Sequence, residues 1–199
     1  VQALKKIDAL PTIQTIGVGH GPILNFNTQL WLNHYREWSK QRSTGENYAV
    51  VCYLSQYGFC DRLSQAIAHG IGKANAPVQL VDLIASDTQE LSALISDASA
   101  VVVPTWPIKS DSELQSNIGT LLASLKQKQW VATYDSYGGN EEPIDFITNQ
   151  LRKLGQKEAF KPLRVRDEPN KSVYQQFEEA GTDLGQILTR KKNLAATKS

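Results

Sequence analysis

From Tyr48 onward the chain alternates between short, continuously apolar runs and segments with helical spacing, and this alternation constrains the fold more than any other feature. The runs are YAVVCYL (48–54), VQLVDL (78–83), ASAVVVP (98–104), WVATY (130–134) and a weaker one at 160–165. Between and after them lie helix patterns that end near Ala74 or cover 88–96, 112–126, 143–154 and 173–188. Apolar runs without alternation suit strands covered on both faces, which are parallel strands joined by crossover helices. Strands and helices in strict alternation predict an α/β, doubly wound five-stranded parallel sheet with helices on both faces. In such sheets a ligand sits outside the carboxyl ends of the strands.

The balance of 21 Lys+Arg against 20 Asp+Glu gives a net charge of +1, which supplies no electrostatic drive toward nucleic acid or an anionic membrane, so neither is expected as a partner. No apolar stretch approaches the ~20 residues of a membrane helix, and the opening residues lack the apolar block of a signal peptide. Cys52 and Cys60, at a strand and the loop after it, do not form a disulfide framework. A cytoplasmic location is expected. Methionine is absent even at position 1, so the chain reads as a piece of a longer polypeptide.

The first 46 residues read differently. A strand-like stretch to Val18 runs into the turn-rich 17–22, and a helix pattern follows over 28–40 with Trp31, Tyr35 and Trp38 on one stripe, suited to packing on another surface. The polar, Gly45-containing stretch before Asn47 reads as a linker. The expected division is therefore 1–46, 47–188 and a basic linker or tail over 189–199.

Three loops at the carboxyl ends of the first, third and fourth strands carry the chemistry. Ser55-Gln56-Tyr57-Gly58-Phe59-Cys60 precedes a helix, where a hydroxyl, a glycine and unpaired N–H groups can hold a phosphate without a formal positive charge. The Gly-Lys-Ser/Thr ending of a Walker loop is missing, and an ordinary strand-to-helix turn fits this segment equally well. Pro104-Thr105-Trp106 and Asp135-Ser136-Tyr137-Gly138-Gly139 each set an aromatic beside a hydroxyl. Trp106 and Tyr137 can stack on the two faces of a flat ring while Thr105 and Ser136 bond its polar edge. Singly, each aromatic reads as a cap on the core; the three loops together favour a ring site.

With those loops in place, residues 48–188 resemble a flavodoxin domain, with 55–60 similar to the FMN phosphate loop, PTW and ELQSN (113–117) to the second loop and DSYGG to the third. The resemblance implies the strand order 2-1-3-4-5. It also implies FMN held by Ser55, Gln56, Tyr57, Gly58, Phe59, Cys60, Pro104, Thr105, Trp106, Ser136, Tyr137, Gly138 and Gly139. IGVGHGPI (16–23), HYREWS and YGFCDRLSQAI resemble the cyanobacterial, diflavin branch of flavodiiron proteins. That branch implies a metallo-β-lactamase-like diiron domain upstream, with residues 1–46 its remnant and His20 its last metal ligand, and a flavin reductase domain downstream of the basic tail. It further implies a head-to-tail homo- or heterodimer in which an FMN electron-transfer module serves O2 or NO reduction with electrons from NAD(P)H.

Three positions depart from the family pattern: Cys60 replaces a hydroxyl with a weak donor, Pro104 lacks an N–H, and Asp135 puts a carboxylate where glycine is common. They support the alternative of a flavin-less interaction or regulatory module. Cys60, at a helix start, is expected to be somewhat acidified. No side chain is expected to act as a catalytic acid, base or nucleophile, since the flavin itself supplies the redox chemistry.

Overall fold

The computed structural model describes residues 6–7, 10–17, 23, 25–40, 47–55, 59–105, 112–138 and 146–196, with backbone alone for 34–35, 37–40, 112–113 and 191–196. The chain divides into two compact units, Val1–Gly45 and Glu46–Ser199.

In the first unit, α1 (Thr28–Lys40) starts after Asn27, whose φ of 50° breaks the preceding backbone direction. Asn27 O accepts from Leu30 N and Trp31 N, and the Thr28 hydroxyl donates to Ile13 O at 2.7 Å. Trp31 stands 39% exposed, whereas the adjacent Leu32 is buried. The side chains of Tyr35 and Trp38 lie outside the described residues.

The second unit is built on a parallel sheet of β1 (Ala49–Tyr53), β2 (Val78–Asp82), β3 (Ala100–Pro104), β4 (Trp130–Tyr137), β5 (Lys157–Glu158) and β6 (Leu163–Arg166). The order is β2-β1-β3-β4-β5, and β6 also pairs with β4. Residues Ala49 to Cys52 of β1 and Val101 to Val103 of β3 have no exposed surface, as their unbroken apolar runs require. The expected fifth strand is therefore two pieces, β5 aligned with Trp130 and Val131 and β6 with Tyr134 to Tyr137. Pro162 lies in the break, where it has no N–H to give to the ladder.

Five helices cross between and after these strands: α2 (Cys60–Lys73), α3 (Thr88–Asp97), α4 (Ser112–Ser124), α5 (Phe146–Lys153) and α6 (Lys171–Ala196). Asp87 caps α3, its Oδ1 accepting from Gln89 N and Glu90 N. The last helix passes well beyond Leu188, so most of the segment read as a basic linker over 189–199 continues α6; buried Leu184 and Leu188 hold its inner face.

Helices α2 and α6 meet backbone to backbone. A β-carbon on Gly70 would lie 1.9 Å from Glu178 O, and one on Gly181 would lie 2.1 Å from Ile67 O. At the rim of this contact Glu178 takes His69 Nδ1 at 3.1 Å and the Lys73 ammonium, which together hold its carboxyl below the usual range. His69 is thus an exposed hydrogen-bond partner of Glu178. Among the described residues no helix is long and apolar enough to cross a membrane.

Candidate functional site

Strand order reverses between β1 and β3, which places the carboxyl ends of β1, β3 and β4 side by side at the topological switch point. The residues expected to bind a ligand come from those three ends.

After β1, Leu54 is buried and Ser55 is exposed, its N–H directed at Asp82 Oδ1 across 3.4 Å. Gln56, Tyr57 and Gly58 lie outside the described residues. Phe59 is half-buried at the N-cap of α2 and gives no side-chain cap, and its carbonyl takes Leu63 N at 3.0 Å to begin the helix. The N–H groups of the first turn of α2 are consequently left without a capping oxygen from residue 59, an arrangement suited to an anion.

Cys60 departs from its expected role. Its side chain turns into the core, 4% exposed, with Sγ 3.7 Å from the Tyr134 hydroxyl. Burial pushes the thiol up to about 11, outweighing the Tyr134 and Leu54 hydrogen bonds, so the acidified thiol is corrected to an inert one. Its backbone alone can face a phosphate. The Tyr134 hydroxyl donates to Cys52 O at 2.8 Å, with Cys60 O at 3.3 Å, tying the start of α2 to β1 and β4.

Pro104 is the last residue of β3, where the 98–104 run ends, in register with Tyr134 and buried. Thr105 is 4% exposed and extends the pairing one step further: its N–H donates to Tyr134 O at 2.7 Å and its hydroxyl reaches the same oxygen at 3.4 Å. Trp106, on which the stacking model rests in part, is outside the described residues, as are Gly139 and His20.

The third loop begins later than the sequence implied. Asp135, Ser136 and Tyr137 belong to β4, paired with Arg164, Val165 and Arg166 of β6. Ser136 and Tyr137 are half-buried and Gly138 is exposed. Asp135 is 3% exposed, and its Oδ2 finds no hydrogen-bond partner among the described residues. Burial raises its carboxyl to about 6, against the opposing pull of Ser136 N–H, the Thr105 hydroxyl and Arg164.

The sign of that shift makes a prediction. The folded carboxyl holds a proton up to about pH 6, while the ordinary value is 3.8, so the folded state binds more protons between the two. Its stabilising contribution is present below the lower value and is lost as pH rises through the upper one. The stability of wild type relative to Asp135→Asn, from urea unfolding, is expected to fall by about 2 kcal/mol between pH 4 and pH 7. A constant difference would contradict the assignment.

Asn117, part of the ELQSN resemblance, serves the scaffold: it is buried on α4, donating to Leu83 O at 2.8 Å and Ser86 O at 3.2 Å and accepting from Thr88 Oγ1. The described residues contain no group of three or more His, Cys, Asp or Glu placed to hold a metal.

Residues 51–181 match the flavodoxin family model. The chain belongs to the flavodoxin family. Its cofactor type is therefore FMN. Within the family it joins the cyanobacterial diflavin flavoproteins: it is 44% identical over 197 residues to diflavin flavoprotein A 1 of Synechocystis sp., a match covering 99% of this chain and 34% of that protein. The chain thus spans about a third of the length of the curated relatives it matches. A diflavin flavoprotein A3 structure from Nostoc sp. superposes with a TM-score of 0.70 at 39% identity, over 76% of this chain and 99% of that one. The Flv1 flavodiiron core from Synechocystis sp. aligns over 95% of this chain and 47% of its own, with a TM-score of 0.73 at 31% identity.

The residues present fit a flavin nucleotide. The first turn of α2 offers N–H groups for a phosphate, and the β3 and β4 ends offer a buried hydroxyl and a buried carboxyl oxygen in need of a donor. Cys60, buried in the core, and Pro104, without an N–H, offer such a ligand no side-chain hydrogen bond.

Proposed function

We propose that this chain is the FMN-dependent electron-transfer module of a flavodiiron oxidoreductase that reduces O2, or NO, with electrons from NAD(P)H. The observation that carries the reading is the convergence of the start of α2, where Phe59 gives no side-chain cap, Thr105 and Asp135–Gly138 on one sheet edge, in a chain of the diflavin branch. Bound FMN accepts electrons and passes them on. Around it, Ser55 and the first N–H groups of α2 hold the phosphate. Trp106 and Tyr137 flank the ring, and Thr105, Ser136, Gly138 and Gly139 line its polar edge and keep water from it. Gln56, Tyr57 and Gly58 complete the phosphate loop.

The same reading makes residues 1–46 the end of a metallo-β-lactamase-like diiron domain, with His20 as one of its ligands, and 47–188 the FMN domain. The helix leaving residue 188 leads to a flavin reductase domain. The partner of the flavin is the diiron domain of the same or a neighbouring subunit in a head-to-tail dimer, in the cytoplasm. The alignment of 95% of this chain with a flavodiiron core supports reading both segments as parts of such a protein.

Titrating the full chain into FMN tests the reading: quenching of flavin fluorescence to a 1:1 endpoint, with a shifted visible absorption band, is expected. The flavin-less module, favoured by the buried thiol of Cys60 and the missing N–H of Pro104, predicts no change in either signal.

A further inference from the structure

We infer that Asp135 is itself a ligand-binding residue, its Oδ2 receiving a hydrogen bond donated by the bound flavin nucleotide; this rests on the FMN reading above. The carboxyl sits at the carboxyl end of β4 beside Thr105, almost wholly shielded from water. Carboxylates buried this deeply are normally paired, because an unpaired buried acceptor keeps its full desolvation cost. Ser136 N–H, the Thr105 hydroxyl and the charge of Arg164 act on the group, yet Oδ2 keeps no partner among the described residues. Burial brings the group to about 6, so at pH 7.5 it is mostly ionised and can only accept. The missing partner must then be a donor. A flavin nucleotide carries two kinds, the ring imide N–H and the ribityl hydroxyls.

An Oδ2 without a partner among the described residues also explains why aspartate, and not asparagine, suits this position. An amide would keep one oxygen for Thr105 and Ser136 and would turn an NH2 toward the ligand's own donor. Affinity for FMN is read by fluorescence quenching of the full-length chain at pH 7.5. Asp135→Ala and Asp135→Asn are each expected to bind about tenfold more weakly than wild type, the scale of one charge-assisted hydrogen bond. Circular dichroism melting shows whether each variant is folded, and the Asn variant, which keeps the side-chain shape, stands in if Ala does not fold. FMN methylated at the imide nitrogen locates the donor. If methylation weakens wild type but not Asp135→Ala, the donor is the imide; if the loss from Asp135→Ala is the same with both flavins, it is a ribityl hydroxyl. The inference is overturned if the folded variants bind FMN within about twofold of wild type, or if Asp135→Asn binds more tightly. Wild type that fails to quench FMN would overturn the FMN reading and this inference with it, whereas quenching that no variant alters overturns the inference alone.

Discussion

Gly181→Ala is expected to destabilise the chain by about 3 kcal/mol, a large effect for one methyl group. The added carbon would lie 2.1 Å from Ile67 O and 2.9 Å from Ile67 C, so it meets backbone that no rotamer change can move. Relief requires α2 and α6 to separate along a contact where Gly70 already lies against Glu178 O. Separation would also open contacts made by Ile67, Ile71 and Leu184, all buried in the same core. Because α2 carries the proposed phosphate site at its first turn, FMN affinity should fall together with stability. Gly72→Ala on the same helix is the control: nothing lies within 4 Å of its added carbon, and helix propensity predicts a gain of up to about 1 kcal/mol. Urea unfolding of both variants decides the matter, and equal behaviour would contradict the packing argument.

Truncating Tyr134 is the second large effect. The side chain has no exposed surface, its ring stands edge-on to Phe177 at 6.1 Å, and its hydroxyl joins β4 to Cys52 O and Cys60 O. Tyr134→Ala is expected to cost about 4 kcal/mol from lost burial and the cavity left behind. Tyr134→Phe keeps the ring and loses only the hydroxyl, so about 1–2 kcal/mol is expected. The two variants separate packing from anchoring. If Tyr134→Phe cost as much as Tyr134→Ala, the hydroxyl and not the ring would be the main support.

Much of this was legible from sequence, for reasons that also explain the failures. Unbroken apolar runs disclosed β1 and β3 because both of their faces are covered. The end of β4 is harder to see in the sequence, because Asp135-Ser136-Tyr137 is polar and looks like a loop, while the strand that pairs with it, β6, lies some thirty residues further on. Burial is nevertheless continuous from Val131 to Asp135, so both faces of β4 stay covered up to that polar end. The burial of Cys60 is legible in its spacing: Cys60, Leu63, Ile67 and Ile71 follow helical periodicity, and all four face the core. The basic residues of the tail suggest a linker, yet no glycine or proline stops the helix after Gly185. What no local pattern could convey was the backbone contact of α2 with α6, since it depends on residues more than a hundred positions apart.

The central claim is that FMN binds at the shared carboxyl edge of β1, β3 and β4. Amide chemical shifts of the isotopically labelled chain, recorded while FMN is added, test it most directly. The account predicts the largest changes at Ser55, at Phe59 to Arg62, at Thr105 and at Asp135 to Gly138, with β2 and the far ends of the helices little changed. Shifts clustered at the opposite edge of the sheet, or none on addition of FMN, would contradict it.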